Sequence, residues 1–289
     1  MAEPLLHAVL RLDHPPAERV ERAGTSRLDA RSCQQMHELR LGTVYRGLVL
    51  ERLGLDLSGE DLLEVGCHDA SISHGIEATR KVGIDLVPYQ RYADIDYVKG
   101  DFLSHDFGER SFDLVLALEV MEHVSDPALF VEALDRVLSR DGRALISVPS
   151  CDVTMFPAFL QAYLDKKWGH YHRRGYSREE LSDTFIAAMP RRRVRLAEWD
   201  CPFLRTSYLA LKIVWALSPS LAQRLLARTV SADLSRSAGS RGYYFVLVGD
   251  LESSELPLAE LSLPASRGAH RPGEQVTRAT GATARSPKA

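Results

Sequence analysis

From residue 61 onward, the chain alternates short apolar runs with stretches of helical pattern, and this alternation restricts its fold strongly. Two of the runs, residues 112–118 and 144–148, are apolar on both faces, as the central strands of a parallel sheet are. Strands that alternate with helices are typical of βαβ units, in which helices cover both faces of a mostly parallel sheet. The sequence therefore predicts a three-layer α/β/α sandwich.

Seven strands and several helices can be placed along the chain. A helix over residues 31–54 carries apolar side chains at helical spacing and ends at Gly54. Asp126 followed by Pro127 marks the start of another helix, because Asp caps helices well and Pro fits the first turn. A capping box begins at Ser177 and opens a helix over residues 179–188. The predicted strands cover residues 61–65, 81–85, 95–99, 112–118, 143–148, 193–199 and 243–248.

The composition changes at both ends of this pattern. Residues 1–30 contain three prolines and are predicted to form a loosely ordered arm, whereas residues 31–250 form the domain. Residues 203–230 are rich in Leu, Ala and Trp and are predicted as a helical insertion. Four roles are open for this insertion: it packs on its own domain, it covers a site as a lid, it joins two copies, or it lies on a membrane. Residues 262–289 hold five cations and one acid with almost no large apolar side chain, so we expect a disordered tail.

Charge and cysteine content exclude several classes of protein. The 36 Lys and Arg residues are balanced by 39 Asp and Glu residues, so no basic surface for nucleic acid is expected. The four cysteines form no C-x-x-C pair, which argues against a disulfide framework and favours a reducing compartment. The sequence shows neither a signal-peptide pattern nor a run of about 18 apolar residues. We therefore expect a cytoplasmic protein.

Acidic residues follow four successive predicted strands. Glu64 is followed by Gly66, whose missing Cβ allows a ligand to approach the backbone closely. The second strand ends at Asp85, where an acid can bind both hydroxyl groups of a ribose. Asp101 follows the third strand and Glu119 the fourth. Because the carboxyl ends of parallel strands meet at one edge of a sheet, these acids predict a site for a nucleoside with a cationic attachment.

In their order and spacing, these motifs resemble those of class I S-adenosylmethionine-dependent methyltransferases, in the broad group that includes quinone-biosynthesis and small-molecule enzymes. The resemblance covers roughly residues 40–250 and implies a Rossmann-like sheet of seven strands, the last of them, residues 243–248, antiparallel. It rests on Glu64-Val-Gly-Cys, Gly83-Ile-Asp85, Gly100-Asp101, Leu118-Glu-Val-Met-Glu-His-Val and Gly169-His-Tyr-His-Arg.

The resemblance also implies which residues bind S-adenosylmethionine. The loop after the first strand would hold the methionine end, Asp85 the ribose, and Asp101 with Phe102 the adenine. Glu119 would lie beside the cofactor at the mouth of the acceptor site. The residues so assigned are Glu64, Gly66, Cys67, His68, Asp85, Leu86, Asp101, Phe102 and Glu119.

The first loop departs from the family pattern. The family reads acid-x-Gly-x-Gly-x-Gly at this place, and here His68 and Ala70 replace the second and third glycines. If position 68 needs a positive φ, a histidine there costs about 1 kcal/mol or more.

Further along, polar side chains suggest an acceptor site. His123 and His172 are predicted general bases for a hydroxyl acceptor, because their ordinary pKa lies near neutrality. A structural hydrogen bond is the alternative for His123. His170, Arg173 and Tyr176 are predicted to contact the acceptor, or else to pack against the sheet edge. The H-x-H spacing shows no third ligand, so no metal site is predicted.

The predicted activity is methyl transfer from S-adenosylmethionine to a small-molecule acceptor at oxygen, nitrogen or carbon. An NAD(P)-dependent oxidoreductase is disfavoured, because the sequence after the first strand does not read G-x-G-x-x-G. A cofactor-binding protein without catalysis is a further alternative, and the altered loop is its support.

Overall fold

The computed structural model describes residues 40–170, 173–235, 241–251 and 258–261 of the 289-residue chain. The predicted arm, the predicted tail and residues 31–39 of the first predicted helix lie outside these ranges. The described elements are α1 (Leu41–Leu53), β1 (Gly59–Val65), α2 (Ser71–His74), β2 (Ala78–Asp85), β3 (Asp96–Lys99), β4 (Phe112–Leu118), α3 (Pro127–Val137), β5 (Leu138–Pro149), α4 (Gln161–Trp168), α5 (Arg178–Ala188), β6 (Val194–Trp199), α6 (Pro202–Leu217), α7 (Pro219–Leu234), β7 (Tyr243–Val248) and β8 (Leu258–Glu260).

These strands form one mixed sheet in the order β3-β2-β1-β4-β5-β7-β6-β8. The strands β1 to β5 pair in parallel, and β7 runs antiparallel to both of its neighbours. The antiparallel strand at residues 243–248 is therefore confirmed. The predicted number of seven strands is wrong among the described residues, because β8 adds an eighth, antiparallel to β6. With three residues, β8 is too short to show a strand pattern in the sequence.

Side chains alternate between the two faces of the sheet, because successive residues of a strand point in opposite directions. Leu62 and Leu116 lie in a buried cluster with α1, α6 and α7. Leu63 and Val115 lie in a second cluster on the other face, with α3 and α5. Helices thus cover both faces, and the predicted three-layer sandwich is confirmed.

The helix starts follow the predicted capping signals. Asp126 accepts backbone N–H groups from the first turn of α3, at 3.0 and 3.2 Å. At the start of α5, Ser177 and Glu180 form the reciprocal hydrogen bonds of a capping box. Few helices connect the first four strands of the chain, however. The link from β1 to β2 holds only the four-residue α2, and the links before and after β3 contain no helix.

The apolar segment predicted as one helical insertion forms two helices, α6 and α7, joined at Ser218. The carboxylate of Asp233, near the end of α7, accepts the backbone N–H groups of Phe203 and Leu204 at 2.8 and 3.2 Å. The two ends of this helical hairpin are therefore tied together. Every helix among the described residues is too short or too polar to span a membrane.

Candidate functional site

A cavity of about 670 Å³ opens at the carboxyl edge of the sheet. Its walls come from the ends of β1, β2 and β4, together with parts of α1, α4 and α6. This edge is where open α/β sheets bind ligands. The predicted site residues that line the cavity are Gly66, His68, Asp85, Leu86, Asp101, Phe102, Glu119, His123 and His170.

The loop after β1 keeps the conformation of the glycine pattern although two of the glycines are missing. Gly66, His68 and Ala70 have φ values of 68°, 47° and 54°, all in the left-handed region. A Cβ added at Gly66 would lie 2.5 Å from a methyl carbon of Val120, so glycine is required there for space as well as for conformation. Strain of about 1–2 kcal/mol per non-glycine residue is thus concentrated at the cavity.

Asp85 fixes the strained loop from the neighbouring strand. One carboxylate oxygen accepts the backbone N–H of His68, and the other accepts that of Val87, both at 2.9 Å. Each oxygen retains a lone pair, because a carboxylate offers about four acceptor sites. Next to it, Leu86 is 66% exposed and forms part of the cavity rim. Asp85 can therefore accept further hydrogen bonds from a ligand.

The third strand end contributes one exposed acid and one buried ring. Asp101 accepts the backbone N–H of Leu103 at 3.0 Å. Phe102 is buried, and its ring meets that of Phe130 edge to face with 5.6 Å between the ring centroids. Phe102 therefore forms part of a packed wall of the cavity.

Two predicted cofactor residues do not line the cavity. Glu64 is buried and accepts hydrogen bonds from the backbone N–H and the hydroxyl of Ser73, in α2. Burial raises the pKa of Glu64 to about 7. Cys67 is buried in a small cluster with Ala70 and Ile95. These two side chains support the loop from behind.

Glu119 follows β4 and has a φ of 59°, so its backbone lies in the left-handed region, which is strained for a residue other than glycine. Ser147 donates a hydrogen bond from its hydroxyl to the carboxylate at 2.9 Å. Burial raises the pKa of Glu119, and the positive charge of Arg46 acts against that rise. Glu119 lines both the main cavity and an adjoining cavity of about 60 Å³. Glu119 therefore lies between the main cavity and the adjoining one.

The turn after β4 contains an acid that the sequence analysis did not single out. Glu122 is fully buried, and neither of its carboxylate oxygens has a hydrogen-bond partner among the described residues. Burial, together with the charge of Glu119, raises the pKa of Glu122 well above its usual value. The adjacent His123 has its Nδ1 3.3 Å from the carbonyl oxygen of Gly169, which is the structural hydrogen bond considered as its alternative role. Burial lowers the pKa of His123.

His170 faces this turn from the end of α4. Its ring lies 5.4 Å from that of His123, centroid to centroid. Burial and the neighbouring His123 lower the pKa of His170 to about 4, so its imidazole is neutral at neutral pH. His172, predicted as a base, lies outside the described residues.

Arg173 and Tyr176, predicted either to contact the acceptor or to pack against the sheet edge, do not line the cavity. The Tyr176 ring is fully buried, and its hydroxyl donates to the carbonyl oxygen of Met121 at 2.8 Å. Arg173 covers this ring, with its guanidinium carbon 4.4 Å from the centroid. The pair fixes the turn that carries Glu122, so its role is to position other groups. The alternation of polar residues in this segment does not show which of them face the interior.

Cations also reach the cavity from α1 and its N-cap, and no sequence pattern pointed to them. Arg40 and Arg46 both line it, and Arg46 lines the adjoining cavity as well. The charge of Arg46 acts on Glu64, Glu119 and Glu122. An arginine in a helix before the first strand has no local signal that would distinguish it from a solvated one.

Part of the chain is similar to known proteins. Residues 63–146 match the family described as a methyltransferase domain. The ubiquinone biosynthesis O-methyltransferase of Azorhizobium caulinodans is 32% identical over 140 residues, which are 42% of this chain and 54% of that protein. A probable S-adenosylmethionine-dependent methyltransferase of Mycolicibacterium smegmatis is 29% identical over 149 residues, 49% of this chain and 56% of that protein. The chain thus spans little more than half the length of these relatives.

Among solved structures, phosphoethanolamine N-methyltransferase 2 of Haemonchus contortus in complex with S-adenosyl-L-methionine is similar. It shares 17% sequence identity with a TM-score of 0.47, over 71% of this chain and 52% of that chain.

Proposed function

Because residues 63–146 match a methyltransferase domain family, we propose that this protein transfers a methyl group from S-adenosylmethionine to a small-molecule acceptor. The observation that carries the proposal is the loop after β1. It keeps three left-handed residues in alternation although only Gly66 of the three glycines is present. Conformational strain of this kind persists only where the surrounding structure imposes it, and it clusters at ligand sites.

The residues of the cavity fit such a cofactor. A volume of about 670 Å³ lies in the range of small-molecule sites. Asp85 retains acceptor capacity for the ribose hydroxyl groups. Arg40 and Arg46 would pair with the carboxylate of the methionine end, because a guanidinium binds carboxylates well. When bound, the cofactor supplies a methyl group on a positively charged sulfur.

The chain's own contribution is to align the acceptor and exclude water. Trp168, Tyr208 and Tyr243 provide aromatic surface in the cavity wall, which suits an acceptor with an apolar or aromatic body. Alignment of this kind lowers the barrier of a direct displacement by several kcal/mol. For a hydroxyl acceptor, His123 and Glu119 are the groups that would receive the proton. The acceptor atom stays open between oxygen, nitrogen and carbon.

The proposal is tested by calorimetric titration of the full chain with S-adenosylmethionine and, separately, with NADH. We expect the first alone to bind. Asp85→Asn should weaken that binding about tenfold or more, because it replaces a charged acceptor of hydroxyl hydrogen bonds. Asp141→Asn is the matched control, since Asp141 is exposed near the start of β5, at the opposite edge of the sheet. Binding of NADH instead would favour the oxidoreductase alternative.

A protein without affinity for either compound would contradict the proposal and favour the non-catalytic alternative. A protein that binds S-adenosylmethionine and methylates nothing would favour a cofactor-binding scaffold. We place the proposed reaction in the cytoplasm, because none of the four cysteines lies in a paired motif.

A further inference from the structure

The adjoining cavity of about 60 Å³ shares part of its wall with the main cavity. Gly42, Tyr45 and Glu119 are among the residues that line both spaces. The rest of its wall comes from the core of the domain, and includes Trp199 at the end of β6 and Phe245 in β7. A volume of this size has room for a group of about three non-hydrogen atoms. A molecule in the main cavity can therefore extend one small group into the core here.

Most of the surface of the adjoining cavity is apolar. The ring of Trp199 lies between those of Tyr45 and Phe245, with centroid distances of 5.6 and 5.7 Å. Arg46 and Glu119 are the charged residues of the wall, and they carry charges of opposite sign. A neutral group therefore fits this space better than an ion, because an ion would lose its hydration without a net opposite charge to replace it.

Two residues of this wall carry polar atoms without a hydrogen-bond partner among the described residues. These atoms are the hydroxyl oxygen of Tyr45 and Nε1 of Trp199. Both side chains are more than nine-tenths buried. The hydroxyl of Ser147, also on this wall, already donates to Glu119 at 2.9 Å. Because an indole N–H only donates, and because buried donors without partners are costly, the two atoms indicate a ligand that accepts hydrogen bonds.

From this combination we propose that the adjoining cavity binds a carbonyl group of the methyl acceptor, carried in a small acyl substituent such as formyl or acetyl. A carbonyl oxygen has two lone pairs and no proton, so it accepts from Tyr45 or Trp199 without bringing a further donor that needs a partner. The carbon atoms of the substituent would pack against the apolar part of the wall. Size, charge and hydrogen bonding thus all favour this group.

The subsite narrows the class of acceptor. Glu119 lines both spaces, so the acyl group would enter the core beside this residue while the body of the acceptor stays in the main cavity. The expected acceptor is therefore an apolar or aromatic molecule with a short acyl substituent. That the bound molecule is methylated rests on the proposed function, whereas the binding of a carbonyl compound can be measured without methyl transfer.

Gly42 gives a way to fill the shared space without disturbing the fold. It is the second residue of α1 and lines both cavities. A Cβ added at Gly42 would meet no atom within 4 Å. Leucine is also a better helix former than glycine. Gly42→Leu should therefore fold and reduce the room for a ligand.

The experiment is an NMR titration of the ¹⁵N-labelled full chain with acetophenone, which carries an acetyl group on a ring. The chain has three tryptophans, and loss of one indole signal in Trp199→Phe identifies the signal of Trp199. We expect acetophenone to shift this signal downfield, because the indole N–H gains an acceptor. α-Methylstyrene has the same shape with a CH₂ group in place of the oxygen, and it should bind at least about fivefold more weakly.

Two variants and their controls locate the effect. Tyr45→Phe keeps the ring and removes one donor, so it should reduce the preference for acetophenone about threefold or more. Tyr163→Phe is its control, because Tyr163 is 41% exposed and lines neither cavity. Gly42→Leu should weaken the binding of both probes at least about fivefold, since it occupies the shared space. Gly47→Ala is its control in the same helix, where an added Cβ makes only an ordinary contact with Ile72 at 3.6 Å.

Three results would overturn the inference. The first is equal affinity for the two probes, because the donors would then play no part. The second is a Trp199 signal that does not move with acetophenone, whether the probe binds elsewhere or not at all. The third is a Tyr45→Phe variant and a Gly42→Leu variant that both bind as the wild type does.

Titration with S-adenosylmethionine separates this inference from the proposed function. A chain that binds acetophenone at Trp199 but does not bind S-adenosylmethionine would refute the proposed function and leave the carbonyl site standing. A chain that binds S-adenosylmethionine while acetophenone leaves the Trp199 signal unchanged would refute the carbonyl site alone. Thermal unfolding of each variant shows whether it is folded.

Discussion

Acids on the two sides of the cavity are held in opposite ways. On the side of β2, Asp85 stays partly accessible and accepts backbone N–H groups with both oxygens. On the side of β4, Glu122 is fully buried and accepts none from the described residues. The first acid organises its loop before any ligand arrives. The second is costly to bury in its charged form, because no described residue donates a hydrogen bond to it. One edge of the sheet thus contains a carboxylate that is already hydrogen-bonded and another that is not.

The largest expected effect concerns Glu64, a buried acid that is hydrogen-bonded. Its pKa is about 7 in the folded chain and 4.5 ordinarily. Because the folded value is the higher one, the stabilisation is complete below pH 4.5 and is lost as the pH rises through 7. Stability should fall by up to about 1.4 kcal/mol per pH unit in that interval, or about 3 kcal/mol in total. Glu64→Gln should reduce the slope by this contribution in chemical denaturation measured from pH 5 to 8, while the buried Glu119 and Glu122 keep theirs. An unchanged slope would assign the titration to another group.

Glu122 and Asp85 sharpen the comparison, because their neutral variants should change stability with opposite signs. At pH 8, Glu122→Gln should stabilise the fold, since burial raises the pKa of this carboxyl well above its usual value and the amide has no such proton to retain. The measurement is the free energy of unfolding in urea. If Glu122→Gln instead destabilises the fold, the carboxylate has a partner inside the protein, and the contrast between the two sides disappears.

Asp85→Asn should destabilise the fold by about 1.5 kcal/mol. The amide keeps one acceptor oxygen but replaces the other with a donor, which faces the N–H of His68 or Val87. The same urea titration measures it, and Asp141→Asn should stay within about 0.5 kcal/mol of the wild type. A stable Asp85→Asn variant would mean that the loop after β1 does not depend on this strand.

The smallest expected effect concerns the loop itself. His68→Gly should stabilise the protein by about 0.5–1 kcal/mol, because a φ of 47° costs glycine nothing, while the more flexible unfolded chain offsets part of the gain. Thermal unfolding shows this as a rise of a few degrees at most. A loss of stability would reveal that the imidazole makes contacts that outweigh its strain.

Much of this architecture could be predicted from the residues. Buried strands and capping boxes are local signals, so β4, β7 and the start of α5 lie where expected. The acids at the strand ends could also be predicted, because parallel strands bring their carboxyl ends to one edge. The burial and the hydrogen bonding of these acids could not be predicted. Elements distant in sequence bury Glu122, and its spacing from Glu119 gives no information about that burial.

The same limit applies to the residues predicted on the acceptor side. Tyr176 and His170 belong to one polar segment, yet one anchors a backbone carbonyl and the other faces the cavity. Arg46 reaches the cavity from a helix that precedes the sheet. Such placements depend on how the helical layers pack, and that is decided by contacts over the whole chain. Neither periodicity nor capping carries this information.

The two hydrogen bonds that join the ends of the helical hairpin have a consequence for its motion. Because Asp233 at the end of α7 caps the start of α6, neither helix can fray at that end without releasing the other. The hairpin should then open and close as one cooperative unit. Leu204 and Tyr208 of α6 line the cavity, so each opening would also expose this wall of the cavity to solvent. In hydrogen–deuterium exchange, the amides of both helices should share a single opening free energy.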